Sequence, residues 1–193
     1  VCIKAASYPD PAANRNVKNI LVEHCVLWNA EPGNAVEIGY EVRCDEISDI
    51  TFRDLDIVHC EYEGNQSGGV LTIHNADRAH IHDIVYEDIR VEDAQEKFVD
   101  IKVLDSKYSL DRKRGSVENI YFRNVEILNG NFPVSIIRGF EMHTEMSRPR
   151  NIYFDNVVVL GKKVESPSDL HMVVELSDDI LFNGTAHAKR NPF

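Results

Sequence analysis

Short apolar runs in this sequence carry acids, imidazoles and amines at alternate positions, which sets ionisable groups side by side on one face of a strand. In "GNAVEIGYEVRCDE" (33–46), Val36 and Ile38 alternate with Glu37, and Glu41 and Arg43 follow. Glu37 in a cleft would serve as a catalytic acid or base, the role a carboxylate plays when it transfers a proton to or from a reacting oxygen. His74 stands among Asn75, Asp77 and Arg78 and is the second candidate for proton transfer. Paired carboxylates that cleave a glycosidic bond sit about 5–9.5 Å apart. At about 3.3 Å per residue, Glu37 and Glu41 would be about 13 Å apart on an extended strand, too far unless the chain turns at Gly39. His80 and His82 flank Ile81 and are spaced to share a metal, although a solvated strand face is the simpler reading.

The elements that position these groups follow from composition and repetition. The 193 residues suffice for one sizeable core, and 43% are hydrophobic. The net charge of −11 disfavours a nucleic-acid or anionic-membrane partner, because binding a polyanion requires a basic face. No run of 18 apolar residues predicts a membrane helix. Cys2, Cys25, Cys44 and Cys60 form neither a CxxC nor a zinc-knuckle spacing, so they are read as reduced, small hydrophobes. Neither a metal nor a cofactor is called for. Two N-x-S/T triplets occur, at 65–67 and 183–185, and the charged segment "EDAQEK" (92–97) reads as a loop.

One phrase recurs five times: "NILVEH" (19–24), "DITFRD" (49–54), "DIVYED" (83–88), "NIYFRN" (119–124) and "NIYFDN" (151–156). Successive starts lie 30, 34, 36 and 32 residues apart. A second, period-2 phrase falls between them: "VCIK" (1–4), "VEIG" (36–39), "LTIH" (71–74), "VDIK" (99–102), "VSII" (134–137) and "VELS" (174–177). Such short runs, bounded by glycines, are strands. Units this long without crossover helices exclude a doubly wound sheet, and propeller blades need longer units. The expected fold is all-β: a single right-handed parallel β-helix of about five to six coils over residues 1–193, with 180–193 as a C-terminal tail.

Stacking at about 4.8 Å per coil predicts one inner column of Ile20, Ile50, Ile84, Ile120 and Ile152, and another of Ile3, Ile38, Ile73, Ile101 and Ile136. The Asn or Asp before each first-column Ile suits a bend, and its side chain can ladder between coils. Two outward columns follow: Cys2, Glu37, Thr72, Asp100, Ser135, Glu175; and Lys4, Gly39, His74, Lys102, Ile137, Ser177. Together they form a polar stripe along the axis, a shape suited to a polymer. Glu37 and Asp100, two coils apart, would be separated by about 9.6 Å. Val1 starts on a strand whose outer edge has no partner; such an end needs covering, so further protein is expected before Val1, in the same or another chain.

These phrases resemble the polygalacturonase-like glycoside hydrolases (family 28) across essentially the whole chain. The resemblance implies an extracellular or periplasmic enzyme that hydrolyses a polysaccharide with inversion, using aspartates to protonate the leaving oxygen and activate water. "VCIK" looks like the end of the strand that follows the family's aspartate pair, which places that pair just before Val1. The family's Gly-His-Gly falls on Gly33, Asn34 and Ala35, and its Arg-Ile-Lys on Thr72, Ile73 and His74. Both basic uronate-gripping residues are thus altered, and the expected substrate is a glycan other than plain polygalacturonate. By this analogy Lys4, Asn34, Glu37, Glu41, His74 and Arg78 line the cleft, while Thr72, Asp100 and Lys102 extend its stripe. Two alternatives stay open: a non-catalytic polysaccharide-binding or adhesin-type β-helix, and a lyase or epimerase using His74 as base with Arg78 beside it.

Overall fold

The computed structural model describes residues 1–6, 10, 14–30, 33–61 and 68–187. The chain winds as a β-solenoid of about five turns, each contributing one strand to either of two parallel sheets. The first sheet runs β1 (Cys2–Ala5), β3 (Val36–Val42), β5 (Gly69–Asn75), β7 (Lys97–Val103), β9 (Ile136–Arg138), β14 (Val173–Glu175). The second runs β2 (Val17–Asn29), β4 (Glu46–Cys60), β6 (His80–Val91), β8 (Ser116–Ile127), β12 (Arg150–Val159), β15 (Asp178–Phe182). β16 (Thr185–His187) then doubles back antiparallel on β15. The segment expected as a tail therefore begins as part of the last coil. Small antiparallel additions, β10 (Phe140–Met142) with β11 (Glu145–Ser147) and β13 (Lys162–Lys163) on β12, decorate the later coils. Helix is confined, among the described residues, to a 3₁₀ turn at Pro167–Leu170.

The repeated hexapeptide explains how a strand turns a corner without breaking its ladder. Asn19, Asp49, Asp83, Asn119 and Asn151 all adopt left-handed backbone, with φ between 54° and 57°. Five residues later His24, Asp54, Asp88, Asn124 and Asn156 do so again, with φ between 51° and 56°. Left-handed backbone costs an L-residue about 1–2 kcal/mol, least for Asn and Asp. Ladders of side-chain bonds offset that cost. Asn119 Nδ2 donates to Asp83 Oδ1 at 3.1 Å, and Asn151 Nδ2 to Asn119 Oδ1 at 3.1 Å. Asn124 repeats the pattern onto Asp88 at 2.9 Å, and Asn156 onto Asn124 at 2.8 Å. In the second N-x-S/T triplet, Asn183 Nδ2 donates to the Val164 carbonyl while its Oδ1 accepts from Asn156 N. The first triplet lies outside the described residues.

Between the corners the inward residues stack in register. Ile20, Ile50, Ile84, Ile120 and Ile152 form one column, continued by Ile180. Beside it, Phe52, Tyr86, Phe122, Phe154 and Phe182 stack face to face with centroids 4.7–5.1 Å apart. Tyr86 carries a hydroxyl into this stack that is buried without a hydrogen-bond partner; nothing in the structure explains it. Outside, the column Glu23, Arg53, Glu87, Arg123, Asp155 alternates in charge. The four cysteines are free thiols, with Cys44 and Cys60 in the core and Cys2 exposed.

The first sheet departs from expectation at one coil. Ile3, Ile38, Ile73 and Ile101 align, but Ile101 pairs with Ile137, and Asp100 with Ile136. The β9 phrase is shifted by one residue, so Ile137 is the fully buried member. A one-residue shift exchanges faces. The outward columns therefore read Cys2, Glu37, Thr72, Asp100, Ile136, Val173 and Gly39, His74, Lys102, Arg138, Glu175; Lys4, Ser135, Ile137 and Ser177 leave them.

If corner geometry limits stability, Asn119→Ala will lose about 1 kcal/mol more than Asn119→Gly, because glycine keeps the left-handed backbone without a Cβ. Urea unfolding of both variants measures the difference, and equal losses would assign the effect to the side-chain ladder instead.

Candidate functional site

A bulge builds the site. Ile3 pairs with Ile38 and Ala5 with Val42, so the single residue Lys4 faces three on β3: Gly39, Tyr40 and Glu41. This is the turn at Gly39 that a Glu37–Glu41 pair requires. Gly39 has φ +136°, and a Cβ there would meet the His74 carbonyl oxygen at 2.3 Å. Only glycine lets the two backbones approach so closely. The looped-out residues then point apart. Glu41 reaches Lys4 Nζ at 2.5 Å, and the Tyr40 ring lies over the His74 imidazole with centroids 4.5 Å apart.

The result is a cleft of about 610 Å³, whose lining includes Lys4, Asn34, Glu37, Tyr40 and Glu41 on the coil side. Leu104, Ser106, Lys107 and Tyr108 line it from a loop of residues 104–115. Two residues with no local motif to announce them hold that loop. Asp77 is buried, and its Oδ1 accepts the backbone N–H of Leu110 at 2.7 Å and of Asp111 at 2.9 Å. Arg114, whose side chain is enclosed, donates to the carbonyls of Ala76, Leu104 and Asp111. Tyr108, at 46% exposure, presents a ring to the cleft, 5.7 Å from that of Tyr40.

Four of the nine sequence candidates thus line one cleft: Lys4, Asn34, Glu37 and Glu41. Asn34 also has a structural task, its Oδ1 accepting Gly69 N at 2.7 Å. His74 is fully buried and cannot touch a substrate. Its Nδ1 lies 3.1 Å from Glu37 Oε1, and its Nε2 has a charge contact, not an aligned hydrogen bond, at 3.3 Å from Asp100 Oδ2. Thr72 and Asp100 are buried too, so the stripe is covered where an open groove was expected. Tyr40 covers His74, while Lys102 Nζ at 2.9 Å and Lys97 Nζ at 3.5 Å close around Asp100 Oδ2. Arg78 lies outside the cleft. It donates to Asp45 and to both carboxylate oxygens of Asp111, whose Oδ1 also accepts from Arg43, and so stiffens the loop. His74 and Arg78 therefore do not form a base with a carboxylate neutraliser. His80 and His82, whose rings are 4.2 Å apart, are each tied to carboxylates: His80 to Glu118, His82 to Asp83 and Glu46.

With a carboxylate at each ring nitrogen, the arrangement favours His74 as the imidazolium, the only form with two donors. Burial alone would pull its pKa down; attraction by Asp100 and Glu37 outweighs this and raises it. Burial pushes Asp100 up, but His74 and Lys102 bring it below the usual carboxylate value. Burial holds Lys102 below the ordinary amine value despite Asp100. At the rim, burial raises and the Lys4 contact lowers Glu41, with a net lowering. Cys2 is exposed as a residue, but its sulfur is partly desolvated against Glu37 and Gly39, and its pKa is pushed up to about 11, first by that desolvation and then by the Glu37 carboxylate.

Compared with known proteins, the chain matches no family model, no curated protein and no solved structure.

The raised His74 value has a direction. The unfolded imidazole titrates near 6.5, so the stability from a protonated His74 is fully present below about 6.5 and is lost as pH rises through the folded value. His74→Gln removes this dependence. Urea midpoints measured from about pH 6 to pH 9 should fall with pH in the parent and stay flatter in the variant.

Proposed function

We propose that the cleft beside the β3 bulge is the active site of a carbohydrate-active enzyme that hydrolyses glycosidic bonds of a polysaccharide with inversion, in the manner of the polygalacturonase-like hydrolases. The observation that carries this reading is the bulge itself, which sets two carboxylates, Glu37 and Glu41, beside two tyrosine rings in one cleft. In such a reaction one carboxyl protonates the leaving oxygen as the glycosidic C–O bond breaks. A carboxylate on the opposite face takes a proton from the attacking water. Glu37 is the group of this chain placed to exchange that proton with substrate. His74 acts through it as a positioning residue, fixing the carboxylate from behind.

The tyrosine lining and the absence of a uronate clamp at Thr72 and His74 point to a glycan other than plain polygalacturonate. The reading carries with it an extracellular or periplasmic setting. A non-catalytic polysaccharide-binding role is the second reading, favoured by the fact that Glu41 is already paired with Lys4 and Glu37 with His74.

Release of reducing ends from a panel of plant and microbial polysaccharides, without an ultraviolet-absorbing product, is the test. Glu37→Gln is expected to lower turnover about 10²–10⁴-fold with little change in oligosaccharide binding. Binding without turnover in the parent chain would leave the cleft as a recognition site.

A further inference from the structure

A glycan can cross a cleft from one side to the opposite side, or it can enter and stop. The walls of the cleft beside β3 decide between the two. Along the axis, the column of Glu37 continues into β5 and β7 as Thr72 and Asp100, with His74 in the column beside it, and all three are fully buried. The Tyr40 ring lies on the His74 imidazole, while Lys97, itself buried, and Lys102 close on Asp100 Oδ2. The open face therefore stops at the coil after Glu37. Across the axis, the strands of the first sheet point toward the loop of residues 104–115, which continues directly from β7. This loop doubles back past the C-terminal ends of β5 and β3. Leu104 N donates to the Asn75 carbonyl, Leu110 N donates to Asp77, and Asp111 accepts from Arg78 and Arg43.

The two walls meet in a corner that closes either straight course through the cleft. A chain laid along the axis runs into the covered face of β5. A chain laid along the strands runs into the loop. Both walls belong to coils with further coils on either side, so the corner is a property of the solenoid's interior. The loop is a wall and not a lid, because Asp77 and Arg114 pin it through its backbone. The lining of the corner also suits the end of a chain. A terminal sugar carries a free hydroxyl that an interior sugar has spent on a linkage, and Ser106 and Lys107 offer a hydroxyl and an ammonium to meet it. The Tyr40 ring supplies flat apolar area for the C–H face of the same sugar.

We propose, resting on the reading of this cleft as a hydrolase site, that the enzyme acts at chain ends: a terminal segment of glycan seats in the corner between Tyr40 and the loop, and short saccharides are released in succession. Each turnover consumes one water. Its oxygen bonds the anomeric carbon as the glycosidic C–O bond breaks, the base takes one of its protons, and the leaving oxygen receives a proton from the acid. Viscosity followed against reducing ends, on a polysaccharide of the panel that the chain hydrolyses, separates the modes. The expected result is a short product of constant size from the start, with viscosity little changed. A ladder of intermediate lengths with an early collapse of viscosity overturns the proposal. Asp111→Ala, which frees the loop from Arg43 and Arg78, should lengthen the products, and unchanged products would overturn the role of the wall. Binding gives a second readout that needs no turnover. With Glu37→Gln, mild acid cleavage of the polysaccharide should raise the sites per unit mass in proportion to the ends created, and a capacity indifferent to ends overturns the proposal. Neither turnover nor binding across the panel sinks the hydrolase reading and this inference together, whereas turnover or binding without end dependence sinks this inference alone.

Discussion

Everything in this molecule depends on parallel strands stacking without a register error. No coil can bury its own apolar residues, so Ile50 or Phe122 is enclosed only because the coils before and after place like residues above and below it. A slip by one residue would turn a whole column to solvent. The left-handed corners enforce the register through backbone conformation, and from Asp83 to Asn151 and from Asp88 to Asn156 an amide ladder fixes them a second time.

The same stacking makes charge a problem, since equivalent residues recur about 4.8 Å apart along the axis. Outside the second sheet the solution is alternation of sign, from Glu23 to Arg53, Glu87, Arg123 and Asp155. Beneath the cleft the solution differs. Glu37 and Asp100 share a column, but Thr72 separates them and His74, in the neighbouring column, bridges both. What reads in sequence as catalytic acids and a histidine is, in part, the charge balance of a buried face. Glu37 alone belongs both to that balance and to the cleft.

Much of the fold was legible because periodicity reports burial directly. The hexapeptide's Asn or Asp marked the first corner, and the Ile after it marked the inner column. The second corner, at the closing Asp or Asn of the phrase, was not read from the sequence, where His24 interrupts the pattern in the first coil. The site was less legible, for three physical reasons. Alternation tells which face a residue takes but not what later lies on that face, so the burial of Thr72, His74 and Asp100 was hidden. Short apolar runs such as "VSII" admit two registers, and only packing chose Ile137. Loop-holding residues such as Asp77 and Arg114 act on backbone groups, which leave no signature in side-chain pattern.

The intervals between hexapeptides vary from 30 to 36 residues while the hexapeptides themselves do not, and the longest, from Asp83 to Asn119, contains the loop that walls the cleft. Shape and support are thus encoded in separate stretches of chain. Lengthening or exchanging residues 104–115 would remodel the cleft wall while the ladders on either side kept count of the coils. A solenoid of this kind can acquire a new ligand through one connecting segment, without renegotiating the packing of any strand.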